Sequence, residues 1–428
     1  MTTQTTESTE SEQALRGKFK ALSTYLNHKL IGCDEMIEAA IIAVLANDNL
    51  YIQGPPGTGK SQMARLFAGC FKHSDGRAGG SFEVQFSADT TKDEILGPWD
   101  LKKLFPQSDE QPSRYVNLCD MTSKDEPRFA PQADVLILDE PANGSSGTLK
   151  SLHNLLDTHR TFWDGETRHD AHTQVVLGTA NEMLPADCYA LDSRYGVRVR
   201  KGHLSYADSC RLNRILATDG EAGKGVTAPS ITFDELRSVQ ALVRAVPRSV
   251  RYMDSRDELD LQLRNANIEV DQRNWEKLLV LVCAYAWFTG ADQVNPSHLY
   301  FARHVCWKNL IDADIVEDLV TEIAAKDQKE IRAQLKLITR EYDEAPRRAL
   351  KTPGAAKANA VIQCKAALEQ VCVYVLQMEK RFEASPVLED ALKKARGIRK
   401  NLVQDLGYAN VPIDEIKKIA AKAKLEVA

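Results

Sequence analysis

The sequence predicts an α/β fold, a parallel sheet flanked by helices, joined to an all-helical second half. Three observations predict it. Up to about residue 203, short apolar runs alternate with segments of helical period, the pattern of crossover units. One of those runs feeds a glycine-rich loop and then a helix. From Ser205 onward the strand pattern stops and helical periods take over. The 428 residues exceed the ~250–300 at which a single core stops growing, so more than one unit is expected.

The elements follow in order. Residues 1–13 are Thr/Ser/Glu-rich, with neither a basic start nor an apolar run, and read as a disordered tail rather than a signal peptide. Leu15 to Leu26 carries Leu15, Phe19, Leu22 and Leu26 on one helical face, and Cys33 to Leu45 is a second helix. Leu50–Gln53 is a short apolar run stopped by Gly54. Met63 to Phe71 is helical, and Phe82 to Phe86 alternates as a strand. Val135–Leu138 and Val175–Leu177 are continuous apolar runs, as in strands buried on both faces. Leu149 to Leu156 reads as a helix and Val197–Val199 as a shorter strand. In the second half, Thr232 and Glu235 form a capping box, Asp271 can cap Asn274–Phe288, and Asn295-Pro296 starts another helix. Ile311 to Arg340 is a long helix, and Ala358 to Phe382 an apolar one.

Composition narrows the function classes. The formal net charge of -5 gives no general electrostatic reason to expect nucleic acid or an anionic membrane. No apolar run approaches the ~18–20 residues of a membrane span, and the cytoplasm is the expected location. Nine cysteines without a Cys-x-x-Cys argue against a disulfide framework or a zinc site. His169 and His172 read as part of a polar turn.

Chemistry enters at Gly54-Pro55-Pro56-Gly57-Thr58-Gly59-Lys60-Ser61, a full match to the phosphate-loop pattern between a strand and a helix. Glycines let successive N–H groups face phosphate oxygens, and the helix N-terminus adds its positive end. Lys60 supplies charge for the β and γ phosphates of a nucleotide, and Ser61 a hydroxyl for Mg²⁺. Val135–Leu138 delivers two carboxylates at its carboxyl end. Asp139 would hold Mg²⁺ and Glu140 would polarise the attacking water. The strand ending Gly178-Thr179-Ala180-Asn181 is expected beside the loop strand, with Asn181 near the water or the γ-phosphate.

From Leu15 to Trp307 the chain resembles the MoxR branch of AAA+ ATPases, and within it the RavA-like proteins. The resemblance rests on Thr90–Pro98, Thr179–Pro185, Ala190–Tyr195, Val270–Trp275 and Cys306-Trp307. It implies an AAA+ α/β nucleotide-binding domain over residues 14–203 and an all-α lid over 204–309, and the helical periods that follow add a helical domain over 310–428. It implies Arg194 as an arginine finger acting on the neighbour's ATP, and Arg273 as a lid arginine on the γ-phosphate of its own subunit. Arg160 matches an arginine kept near the subunit interface. Ser193, Pro141 and His159 depart from the family's usual residues.

What the resemblance implies for function is a hexameric ring that remodels or assembles a protein client together with a von Willebrand factor A-domain partner. The apolar stripe Val361, Leu368, Val371, Cys372, Val375 and Leu376 reads first as helix packing. Two other classes stay open: a nucleic-acid-stimulated AAA+ motor of a restriction or defence system, supported by the basic run Lys393–Lys400, and a scaffold that binds ATP only to assemble. A metal-chelatase motor subunit is a third, related reading.

Overall fold

A computed structural model describes residues 2–105, 119, 121, 126–164, 167–185, 188–217, 225–324 and 340. The chain divides into two compact units, residues 1–203 with 220–317, and residues 204–219 with 318–428. The helix expected to open the lid at 204 therefore groups with the C-terminal stretch. The stripe from Val361 to Leu376 and the basic run Lys393–Lys400 lie outside the described residues.

The first unit is organised by five strands, β1 (Asn49–Gln53), β3 (Ser81–Gln85), β4 (Val135–Asp139), β7 (Val175–Ala180) and β8 (Tyr195–Arg200). They pair in parallel in the order β3-β4-β7-β1-β8. β4 up to Leu138 and all of β7 are buried because helices cover both faces of the sheet. Short pairs lie beside it: β2 (Phe71–Lys72) with β9 (Ile231–Thr232), and the hairpin β5 (Thr161–Trp163) with β6 (Arg168–Asp170). The helical reading of Phe71 gives way to β2, since Gly69 ends the preceding helix.

α1 spans Thr2–Lys29, so the segment expected as a disordered tail is helical as far as Thr2. It holds no proline and only one glycine, Gly17, and once nucleated a helix propagates cheaply. The pair Arg16–Glu12, 2.6 Å and four residues apart, adds to it. α2 (Asp34–Leu45) is buried along nearly its whole length, packed against β1, β8, α1, α9 (Phe233–Ala245) and α11 (Gln272–Thr289). α3 (Lys60–Ala68) follows the glycine loop. α4 (Lys92–Leu96), α5 (Leu101–Leu104), α6 (Ser146–Ser151) and α7 (Tyr189–Asp192) are single turns or little more. α6 starts earlier than the expected 149–156 helix because Ser145 caps it, accepting from Thr148 N at 3.2 Å.

Downstream, the capping box of α9 is present in both directions. α10 (Val250–Asn265) has no counterpart in the sequence reading, because among its charged residues only Tyr252, Leu259 and Leu263 are buried. Asp271 stands at the head of α11 without capping it; its carboxylate accepts instead from Tyr189 Oη and Lys308 Nζ. Residues Pro296–His304 form 3₁₀ turns headed by Asn295, and α12 covers Leu310–Ala324. In the second unit α8 (Tyr206–Ala217) begins with Ser205 Oγ accepting from Asp208 N at 3.1 Å. No helix among the described residues is long and apolar enough to cross a membrane.

Candidate active site

β1 runs directly into the glycine loop at the carboxyl end of the sheet. Gly54 N donates to Ala180 O at 3.0 Å, and a Cβ at this position would overlap the Lys201 carbonyl oxygen. Gly57 and Gly59 have φ of +74° and +85°, left-handed values that strain any other residue. This backbone turn leads into α3 and forms an anion-binding concavity at a helix start. Lys60 is buried in it, donating to Gly54 O at 2.6 Å, Pro55 O at 3.0 Å and Asn181 Oδ1 at 3.1 Å. Burial lowers its pKa, and the charges of Glu140 and Asp139 oppose that shift. Thr58 Oγ1 braces the turn on Pro55 O at 2.8 Å.

Register brings the carboxylates to the same level. Gln53 pairs with Ala180, and Asp139 with Thr179. Asp139 Oδ1 accepts from Ser61 Oγ at 3.1 Å and from Thr179 Oγ1 at 2.5 Å. Two hydroxyls on one carboxylate are a hard-oxygen set suited to Mg²⁺, so these residues fit the ion. Glu140 is held left-handed at φ 53°, a conformation that costs a non-glycine residue ~1 kcal/mol or more. It is fixed at both ends: its N donates to Thr179 O at 2.6 Å, and its Oε2 accepts from Asn181 N at 3.0 Å. Gln53 Nε2 in turn holds Asn181 O at 2.9 Å. Residues 54–61, Asp139, Glu140 and Asn181 thus converge. Thr179 joins them, readable only as the polar residue interrupting an apolar strand. Gly32, at φ +69°, and Cys33 flank the loop, with Cys33 Sγ 3.9 Å from a Cβ built on Gly59.

The arginines stand elsewhere. Arg194 precedes β8, whose Tyr195 pairs with Asn49 at the opposite end of β1. With parallel strands, five residues at ~3.3 Å each separate that level from Gly54, roughly 16 Å. Arg194 donates through Nε to His153 O at 2.7 Å, through Nη1 to Ala190 O and through Nη2 to Asp157 at 3.5 Å. Burial lowers its pKa, Asp157 opposes the shift, and Arg273 adds to it. Just before it, Asp192 forms a buried ion pair with Arg198 at 2.8 Å.

Arg273 donates through Nη1 to Ser193 Oγ at 3.4 Å, beside Arg194. The expected position on the phosphates of its own subunit is not the one seen here, where its side chain contacts Ser193. The apolar face of α11 packs on α2, and Lys277 fastens the start of α11 to Asp48 at 2.9 Å. Arg160 lies in the interior, 7 % exposed, its Nη2 on Asn49 Oδ1 at 3.0 Å and its Nη1 on Thr173 O at 3.3 Å. Burial pushes its pKa down to about 10. It ties the root of β1 to the strand entering β7, and the structure does not bring it to the phosphate loop.

Comparisons with known proteins agree with this architecture. Residues 17–241 match the profile of the MoxR domain in the MoxR-vWA-beta-propeller ternary systems, and residues 252–320 match an AAA lid domain. An uncharacterized protein of Methanocaldococcus jannaschii is 24% identical over 323 residues, covering 75% of this chain and 78% of its own. A second from the same organism is 25% identical over 284 residues, covering 66% and 69%. The crystal structure of a protein described as a candidate ATPase from Cytophaga hutchinsonii superposes with a TM-score of 0.57 at 14% identity. That match covers 75% of this chain and 98% of the other, and it speaks to the fold alone.

Proposed function

Since the chain belongs to the MoxR family of AAA+ ATPases, we propose that it hydrolyses ATP in a ring whose active sites are completed across subunit boundaries. The observation that carries this reading is the separation of the two halves of the site. The phosphate loop and its carboxylates occupy the carboxyl end of the sheet, and Arg194 with Arg273 occupies the amino end. An arginine some 16 Å from its own loop along the sheet is out of reach of its own nucleotide, which supports a role on a neighbour's.

In this reading Gly54–Lys60 cradle the phosphates, and Lys60 exchanges its carbonyl contacts for phosphate oxygens. Mg²⁺, held by Ser61 and Asp139, would neutralise charge on the β and γ phosphates. Glu140 takes the proton of the attacking water, oriented by the Asn181 amide that already holds it. Arg194 and Arg273 both reach the next subunit's γ-phosphate and stabilise charge in the transition state. A head-to-tail contact of this kind closes into a ring, and a hexamer is the number we propose. The family description supports a von Willebrand factor A-domain partner, with a β-propeller component beside it, in a task of remodelling or assembling a protein client. Placement in the RavA-like branch is the finer part of the same proposal.

The test is steady-state hydrolysis across protein concentrations, with a mass determination in ATP. Specific activity should rise with assembly. A dilute monomer as active as the assembled protein would overturn the shared site.

A further inference from the structure

Beneath Arg194 lies a buried polar cluster that the family motifs do not explain. Asp48, just before β1, is 8 % exposed. Its Oδ1 accepts from Asn49 N at 2.7 Å, Gly196 N at 3.2 Å and Lys277 Nζ at 2.9 Å. Lys277 reaches it from α11, one turn beyond Arg273. The same ammonium donates at 2.7 Å to the carbonyl oxygen of Arg194 itself. That carbonyl also accepts from Asn49 Nδ2 at 3.0 Å. Gly196 is required here, since a Cβ would overlap the Asp48 carboxylate.

A buried ammonium costs several kcal/mol unless paired, which apolar packing of α11 alone would avoid. Burial lowers the pKa of Lys277, and Asp48 opposes the shift. The pair fixes two things together: the backbone of Arg194 and the helix that carries Arg273.

We propose that Lys277 and Asp48 are positioning residues that lock the backbone of Arg194 to the lid helix, so that both arginines present to the neighbouring nucleotide as one unit. Neither residue touches nucleotide, and the proposal rests on the shared-site reading above. In full-length assembled protein, Lys277→Met should lower turnover at saturating ATP by between about ten- and a hundredfold, as for a misplaced catalytic group. The dissociation constant for a fluorescent ATP analogue should stay within about twofold of wild type, because the loop is at the other end of the sheet.

The deciding measurement repeats Lys277→Met in a background carrying both Arg194→Ala and Arg273→Ala, read against the residual turnover of that double variant alone. A residue that acts only through these two arginines changes nothing further there. An equal fold-loss in both backgrounds, or weakened analogue binding, would show a general structural role and overturn the proposal. An Arg194→Ala protein with full turnover would instead overturn the shared-site reading, and this inference with it. If Lys277→Met leaves Asp48 unpaired and does not fold, Asp48→Asn with Lys277→Met removes both charges, and the same two readouts apply.

Discussion

At the carboxyl end of the sheet, one eight-residue loop and the last residues of β4 and β7 make the site, and backbone amides and carbonyls supply much of its geometry. At the amino end, segments far apart in sequence meet: Asp48 and Asn49, His153, Arg160, Ser193 with Arg194, and Lys277 on α11. The first end is shaped by glycines that only one residue type can fill. The second is held by charged side chains in the interior, each needing a partner from another element. Under the proposed function, the difference means that binding nucleotide and completing its hydrolysis are built separately, so substitutions should affect them separately.

Four substitutions sharpen that contrast, from the largest effect to the smallest. Glu140→Gln should reduce turnover by about 10²–10⁴-fold while leaving nucleotide binding in place. Phosphate release alongside binding of a fluorescent ATP analogue measures both, and lost binding would mean that Glu140 shapes the loop rather than the chemistry. Next, Gly54→Ala and Gly196→Ala place the same methyl group at the two ends. Both should destabilise by roughly 2–4 kcal/mol in urea unfolding, since the methyl meets the Lys201 carbonyl in one and the Asp48 carboxylate in the other. Only Gly54→Ala should weaken nucleotide binding in the folded protein. Equal loss of binding in both would break the separation. The smallest effect is expected at Arg65, whose Nε and Nη2 bind Glu83 at 2.8 and 2.6 Å on the exposed side of α3. Arg65→Ala should cost no more than ~1 kcal/mol and leave turnover unchanged.

The same contrast explains what could be read beforehand. The phosphate loop, Asp139-Glu140 and Asn181 were legible because each is a local pattern on a strand of clear apolar character. The place of β7 beside β1 followed from the same reading. The side on which Arg273 lies was not legible, because it depends on how α11 packs against α2, and no short segment encodes that. The hairpin of β5 and β6 escaped notice because its strands are short; the aromatic pair Phe162-Trp163 before Asp164-Gly165 was the available signal. α10 was hidden by its charge. The interior setting of Arg160 was not legible either, because its partners Asn49 and Thr173 come from distant segments.

The most direct test of a shared site mixes two inactive proteins. Glu140→Gln lacks the group proposed to activate water but keeps Arg194. Arg194→Ala lacks the proposed finger but keeps Glu140. In equal mixture, about a quarter of random head-to-tail contacts pair an intact Glu140 with an intact Arg194. The account predicts that hydrolysis returns in the mixture, to roughly that fraction of wild type, far above the residual turnover of either protein alone. A mixture as inactive as its components, under conditions where mass determination shows mixed rings, would contradict it.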